Sequence, residues 1–402
     1  MLAKSHAAAV QPNPLSFFIF IVLGAISALT PLAIDMYVPA MPAIAKDLMA
    51  DTGAVQLSLT AYGAGFAIGQ LFHGPISDSY GRRPVLIIGV LCFAITAMLT
   101  ASVHSIDTLN LLRVIQGLSG AASAVVIQAV IRDMFNREDF AKAMSFITLV
   151  MTLAPLVAPM LGGHLAMWFG WRSIYWVLAI YAVAALVMVY YKIPETLQVH
   201  QRQTLNMKTT LKNYAKLVKD PTTVGLILSS AFSFAGMFAF FTAGSFVYID
   251  IYGVSPNQFA YLYGLNVIAL IILTTLNGRL VKVLGLHSML RIGLALQLLG
   301  GVGLLIGWAL NWGLWGTVPF VTLYIGTISV IGSNSMALLL SGYPTMAGTA
   351  ASLSGTLRFG MGAVVGAVVA ALPGLAVWPM VWVMSGCSIL SMAFYWIFGR
   401  KA

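Results

Sequence analysis

Charge is what this chain has least of. Asp, Glu, Lys and Arg make up 8% of its 402 residues, against 60% hydrophobic ones. A soluble globular domain carries roughly 25% charged residues, so water cannot solvate a surface of this size and a cytosolic or secreted enzyme is excluded. Cysteine is nearly missing. Cys92 and Cys387 sit in opposite halves inside apolar runs, which predicts no disulfide and no redox role. The six histidines (His6, His73, His104, His164, His200, His287) are scattered without metal-ligand spacing, so we expect no metal and no cofactor. A Walker loop, a nucleophile elbow and a dinucleotide fingerprint are absent, which argues against ATP hydrolysis and against an enzyme. Dyad alternation is absent too, which disfavours a β-barrel.

What the chain does have is twelve continuous apolar runs. They fall at 15–38, 54–76, 84–102, 108–131, 140–167 and 174–193, then at 223–249, 257–281, 288–310, 314–339, 346–372 and 376–398. A helix needs roughly 20 apolar residues to span a bilayer, so the pattern predicts an all-α polytopic membrane protein with six plus six spans. The polar interval 194–221 divides the chain into 1–193, a linker 194–221 and 222–402. The linker holds Arg202, Lys208, Lys212, Lys216 and Lys219 against Glu195 and Asp220, and Leu205, Leu211 and Leu217 suggest a short amphipathic face. With the N-terminus in the cytoplasm, 17 of the 21 Lys and Arg residues lie inside, Lys46 and Arg172 outside, and Arg113 and Arg358 within spans. The net charge of +10 is therefore a topology signal with both termini cytoplasmic, and it does not point to nucleic acid.

Three ionisable residues remain within the spans: Asp35, Arg113 and Arg358. A charge at mid-bilayer costs about 2.5–3.5 kcal/mol on insertion scales and marks a functional candidate; the alternative for each is a bond that locks helices together. Counting from the expected span ends puts Asp35 and Arg113 at one depth, about 6–9 Å below the outer surface, where they form a plausible pair. Apolar surroundings help a carboxylic acid keep its proton and an approaching guanidinium helps it let go, so Asp35 is the first choice for a proton site. Arg358 has no acid in its own half at similar depth, which leaves Ser329, Ser333 and Asn334 or a ligand as partners.

Proline and glycine mark a bent helix. The run 154–163 carries Pro155, Pro159, Gly162 and Gly163, where prolines free carbonyls and small residues permit close helix approach. The seventh run holds Phe232, Phe234, Met237, Phe238, Phe240 and Phe241, of which one face can line a cavity. Tyr37, Tyr62, Gln116, Asn266, Tyr324 and Met336 are further side chains suited to a cavity wall.

The segment 74–84 reads GPISDSYGRRP, a G-x-x-x-D-x-x-G-R-R pattern that resembles the loop signature of the major facilitator superfamily between spans two and three. Asn277-Gly278-Arg279-Leu280-Val281-Lys282 is its weak echo in the second half. The segment 32–42 around Asp35, the run Leu112-Arg113-Val114-Ile115-Gln116-Gly117, and the 154–163 run with Ala158 replacing a glycine resemble motifs of 12-span drug:proton antiporters. Together with 232–238, 347–350 and 357–360 they make the whole chain resemble the Bcr/CflA bicyclomycin- and chloramphenicol-resistance transporters. The resemblance implies a major facilitator fold of two six-helix bundles in a bacterial inner membrane. It also implies proton-driven efflux of drugs such as bicyclomycin, phenicols or sulfonamides, with narrow export of a metabolite such as cysteine as the alternative. It assigns proton coupling to Asp35 and Arg113 and a conformational switch to Asp78, Gly81, Arg82 and Arg83, joined by the 155–163 prolines and glycines. Candidate substrate contacts are Tyr37, Tyr62, Gln116, Phe234, Met237, Phe241, Asn266, Tyr324, Asn334 and Arg358. Expected partners are a small-molecule drug, protons and the lipid bilayer, with the chain acting as a monomer.

Overall fold

The computed structural model describes residues 14–135, 137–202, 207–343, 346–372 and 376–401. In lipid, backbone groups must be satisfied within their own segment, and the apolar runs fold accordingly as helices. The first half contains α1 (Pro14–Ser27), α2 (Leu29–Asp35), α3 (Met41–Asp47), α4 (Thr52–Tyr80), α5 (Arg82–Ala101), α6 (Ile106–Met134), α7 (Arg137–Phe169) and α8 (Arg172–Lys192). After α9 (Met207–Val218) come α10 (Pro221–Ser245), α11 (Pro256–Leu284), α12 (Leu286–Ala309), α13 (Gly313–Gly342), α14 (Ala347–Ala371) and α15 (Trp378–Ile397). Among the described residues there is no strand.

Among the described residues, eleven helical stretches are long and apolar enough to cross a membrane on their own. The twelfth, α4, has 29 residues but carries Gln56, Ser58, Thr60, Gln70 and His73. It packs along α6 and α14, and Gln56, Ser58 and Thr60 are buried, so its polar side chains face protein.

The first span departs from the unbroken run expected over 15–38. It comprises α1, α2, a tight turn at Val38–Ala40 and α3, and reaches Asp47. Pro39 and Pro42 lack the N–H groups that would meet the carbonyls of Asp35 and Val38, which breaks the helix there. Asp35 therefore lies twelve residues before the span's end at Asp47, with the broken turn between them. The seventh span ends in a wider π-turn over Phe246–Ile251.

The packing repeats between halves. In the first, α4 packs on α6, α6 on α5 and α5 on α8; in the second, α11 packs on α13, α13 on α12 and α12 on α15. The halves join by α4 against α14 and by α7 against α11, which are the same two positions exchanged. The turns match as well: Gly81 between α4 and α5 has φ +106° and Gly285 between α11 and α12 has φ +79°, values that L side chains rarely adopt. The turn of the second-half echo is thus at Gly285; a Cβ on Gly278 would meet open space.

Close approach within the first half rests on small residues. A Cβ on Gly65 of α4 would overlap the Val114 carbonyl of α6, and one on Gly117 of α6 would overlap the Tyr62 carbonyl of α4. The second half is entered through a capped helix. Asp220 accepts from the amides of Thr222 and Thr223 and from the hydroxyls of Thr223 and Tyr343. Burial pushes the Asp220 carboxyl up, but these bonds outweigh it and hold the group below the usual carboxylate range. Of the amphipathic leucines expected in the linker, Leu205 lies outside the described residues, Leu211 is exposed and Leu217 is buried. Tyr214 and Leu217 dock α9 onto a second-half cluster that includes Leu290, Ile331 and Leu353.

Replacing Gly117 by Val should lower the thermal midpoint of the detergent-purified protein, because the added atoms meet backbone and overpacking costs about 1–3 kcal/mol. Gly278→Ala should leave it unchanged. Scanning fluorimetry decides, and equal midpoints would mean that α4 and α6 part without penalty.

Candidate functional site

Asp35 ends α2, where the first span breaks, and is 4% exposed. Its Oδ1 accepts a 2.6 Å hydrogen bond from the hydroxyl of Tyr263 on α11, in the other half. The expected pairing with Arg113 is not formed: among the described residues no ion pair joins them. Arg113, fully buried on α6, donates from Nη1 to the Ala33 carbonyl at 3.2 Å and to Gln116 Oε1 at 2.9 Å. Its guanidinium carbon stands 4.8 Å from the Tyr37 ring centroid and 4.5 Å from that of Tyr62. Cation–π attraction of this kind is worth about 2 kcal/mol or more when desolvated, so aromatic faces and a carbonyl hold the cation where a carboxylate was expected. Arg113 Nε and Nη2 and Gln116 Nε2 are buried without a partner, leaving donors available for a ligand.

The two tyrosines are fixed from behind. Tyr37 and Ser58 share a hydrogen bond, and the Tyr62 hydroxyl donates to Thr30 at 3.1 Å. Tyr62 stacks on Phe66, whose ring centroid is 4.3 Å from that of Phe359 on α14. Phe359 lies 5.0 Å from Phe234 on α10, and Phe234 carries the Arg358 guanidinium at 4.7 Å. A continuous row of rings therefore runs between the two arginines and crosses from one half to the other. Phe241 joins its edge, packing on Phe238 and stacking on Tyr263; Met237 is half-buried.

Other candidates serve helix contacts inside the second half. Asn266 accepts from Thr322, and the Tyr324 hydroxyl donates to the Ser233 carbonyl. Asn334 donates to Asn277, which in turn donates to Ser333. Asn334 and Ser333, considered as partners for Arg358, are thus engaged with Asn277.

Helix α7 touches both halves. A Cβ on Gly162 would overlap the Met36 carbonyl, while the Gly163 position faces Pro256 of α11 at 3.5 Å. Pro155 and Pro159 lie within the same helix. At the opposite end of the bundle, rich in basic residues, Arg82 pairs with Asp78 at 2.5 Å and Asp133 at 3.3 Å and donates to Ser77. The amides of Arg82 and Arg83 donate to the Glu195 carboxylate, and Arg83 also reaches the Tyr190 carbonyl. A Cβ on Gly81 would overlap Glu195.

Tyr263, Phe66, Phe359, Asp133 and Glu195 were not singled out from the sequence. Phe259, Tyr263 and Asn266 recur at helical spacing on the buried face of α11, which is a signal for Tyr263. Asp133 and Glu195 are distant in the chain from the loop they hold, and no local pattern announces them.

Residues 23–367 match a profile described as Major Facilitator Superfamily. The chain is 41% identical, over 96% of its length and 98% of the relative's, to a bicyclomycin resistance protein homolog of Haemophilus influenzae. It is 30% identical to a chloramphenicol resistance protein of Pseudomonas aeruginosa, over 90% of this chain and 86% of that one. In structure it is similar to a D-xylose-proton symporter, with a TM-score of 0.74, 17% identity and coverage of 95% and 97%.

The Asp35–Tyr263 bond makes a direct prediction. Tyr263→Phe keeps the ring and removes the hydroxyl, so cross-linking between Gly163→Cys and Pro256→Cys should fall while the thermal midpoint changes little. Unchanged cross-linking would show that this bond does not hold the halves together.

Proposed function

The chain belongs to the major facilitator superfamily, and within it to the bicyclomycin- and chloramphenicol-resistance transporters; from that premise we propose that it exports small antimicrobials by drug:proton antiport. The observation that carries this reading is Asp35, buried where the first span breaks and bonded across the interface to Tyr263. A carboxylate there accepts the Tyr263 hydroxyl strongly, since hydrogen bonds to ionised acceptors are roughly twice as strong as neutral ones. Protonation weakens that bond, which gives one proton a purchase on how the two halves meet.

Residues 1–193 and 222–402 are then the two bodies that rock around a central cavity, joined by 194–221. The basic end is the cytoplasmic one, by the excess of Lys and Arg in its loops, and the membrane is the bacterial inner membrane with both termini inside. In this conformation the outer end is held shut: the Val38–Ala40 turn packs against α10 and α11, α3 against the Phe246–Ile251 turn, and α7 against α11. Arg113 stands 3.2 Å from the Ala33 carbonyl, two residues before Asp35, and acts with it in proton coupling. The Asp78–Arg82–Asp133–Glu195 cluster holds the cytoplasmic end of the first half as one body, and Gly162 and Gly163 give α7 a close bearing on both halves. Tyr37, Tyr62, Gln116, Phe234, Met237 and Phe241 line the path of the substrate. One proton moving inward contributes about 2.3 kcal/mol per 100 mV, and the chain works as a monomer.

Inverted membrane vesicles energised acid-inside test the reading. They should accumulate a phenicol or bicyclomycin in a protonophore-sensitive way, and adding drug to the purified protein in weak buffer should release protons. Asp35→Asn should abolish gradient-driven accumulation while drug binding survives. Accumulation that persists in this variant would place the proton site elsewhere, and flux restricted to cysteine would favour a metabolite exporter.

A further inference from the structure

The two membrane-embedded arginines are satisfied to very different degrees. Arg113 is fully enclosed, lies against two rings, and donates from Nη1 to a carbonyl and an amide, with Nε and Nη2 left without a partner. Arg358 lies against one ring, that of Phe234, and among the described residues it makes no hydrogen bond and no ion pair. Its Nε is enclosed without a partner, yet the residue as a whole is partly exposed. Gly332 of α13 seats the group: a Cβ there would stand 3.5–3.6 Å from Nη1, Nη2 and the guanidinium carbon.

Nothing nearby in the second half can neutralise it. Asp220 is committed to the start of α10 through Thr222, Thr223 and Tyr343. Asp250 lies in the π-turn at the other end of that helix. Arg358 itself is near the middle of α14. The amide and hydroxyl that share its helix neighbourhood, Asn334 and Ser333, are bonded to Asn277. A guanidinium held at mid-membrane with free donors and no counter-charge calls for an acceptor that arrives from outside the chain. The next residue, Phe359, meets Phe66 of the first half at 4.3 Å and Phe234 at 5.0 Å, so the ring beside the cation belongs to a row of rings drawn from both halves.

We propose that Arg358 is the docking point for an oxyanion on the cargo, and that the Phe66, Phe234 and Phe359 rings receive an attached planar aromatic body. The favoured ligand class is thus an aromatic carboxylate or similar aromatic oxyanion. This inference rests on the transport reading for its physiological meaning, but it is a statement about binding and is tested without a gradient.

The probes are 2-naphthoate, 2-naphthylmethanol and 2-naphthylmethylammonium, which share one ring and differ in charge. Titration calorimetry on the full chain in nanodiscs, in a chloride-free buffer, should show the naphthoate binding at least about tenfold more tightly than the alcohol, and the ammonium most weakly. Arg358→Gln should cost the naphthoate about tenfold and the alcohol less than twofold, erasing the preference; Arg358→Lys should keep part of it. Gly332→Leu, which leaves the arginine in place and crowds its seat, should also reduce naphthoate binding selectively, and it keeps the test open if Arg358→Gln does not fold. Equal loss for all three probes, or no loss, overturns the proposal. Displacement of naphthoate by chloride alone at physiological strength also overturns it, by making this an inorganic-anion site. Failure of Asp35→Asn to block driven accumulation would leave the charge preference intact, so the two readings fail separately.

Discussion

A cation that cannot reach water has to be held by something, and the way Arg113 is held shapes the centre of this protein. The faces of Tyr37 and Tyr62, the Ala33 carbonyl and Gln116 hold it without any carboxylate. Had it taken Asp35 as an ion pair, the one acid in the interior of the spans would be locked within the first half. Because it does not, Asp35 is left to bond to Tyr263 across the interface. The broken first span makes both arrangements possible. Pro39 and Pro42 interrupt the backbone ladder just beyond Asp35, and α7 can press against that break at Met36 because residue 162 has no side chain.

The bonds within the first half differ mostly in kind from those between halves. Inside, α4 and α6 touch backbone to backbone through Gly65 and Gly117, and the Arg82 cluster gathers α4, α5, α6 and the segment after α8 with several charge-assisted bonds. Between halves, backbone comes close near the outer end, where a Cβ on Gly53 would overlap the Ala370 carbonyl, and elsewhere there are ring contacts and single hydrogen bonds, such as Ser352 to the Gln70 carbonyl. Close-packed backbone is hard to separate, whereas ring faces slide and single hydrogen bonds exchange partners. The surface that gives way is therefore written into the chemistry of its contacts.

Much of this was legible in the sequence. The spans followed from hydropathy alone, because lipid leaves a helix few alternatives. The Asp78–Gly81–Arg82–Arg83 spacing announced a built loop, and Gly162 announced a close approach. The Asp35–Arg113 ion pair expected from opposite charge at one depth is not made, although Arg113 does reach the Ala33 carbonyl two residues from Asp35. The rings of Tyr37 and Tyr62 and the Ala33 carbonyl hold the cation instead. Tyr263 lies 228 residues from Asp35, and a single sequence carries no record of how its two halves are set against each other. Glu195 reaches Arg82 and Arg83 only through the geometry of a loop that periodicity does not describe.

The polarity of α4 has a consequence for how the protein is made. A helix that carries Gln56, Ser58, Thr60, Gln70 and His73 partitions poorly from the insertion machinery into lipid by itself, since each polar group must find a partner or remain near water. Its natural partner is α6, whose Gly117 and Val114 carbonyl fit it closely, and α6 is synthesised only after α5. The early chain therefore has to keep α4 sheltered until two more spans have emerged. A side chain at Gly117 would therefore weaken the contact that shelters the polar face of α4.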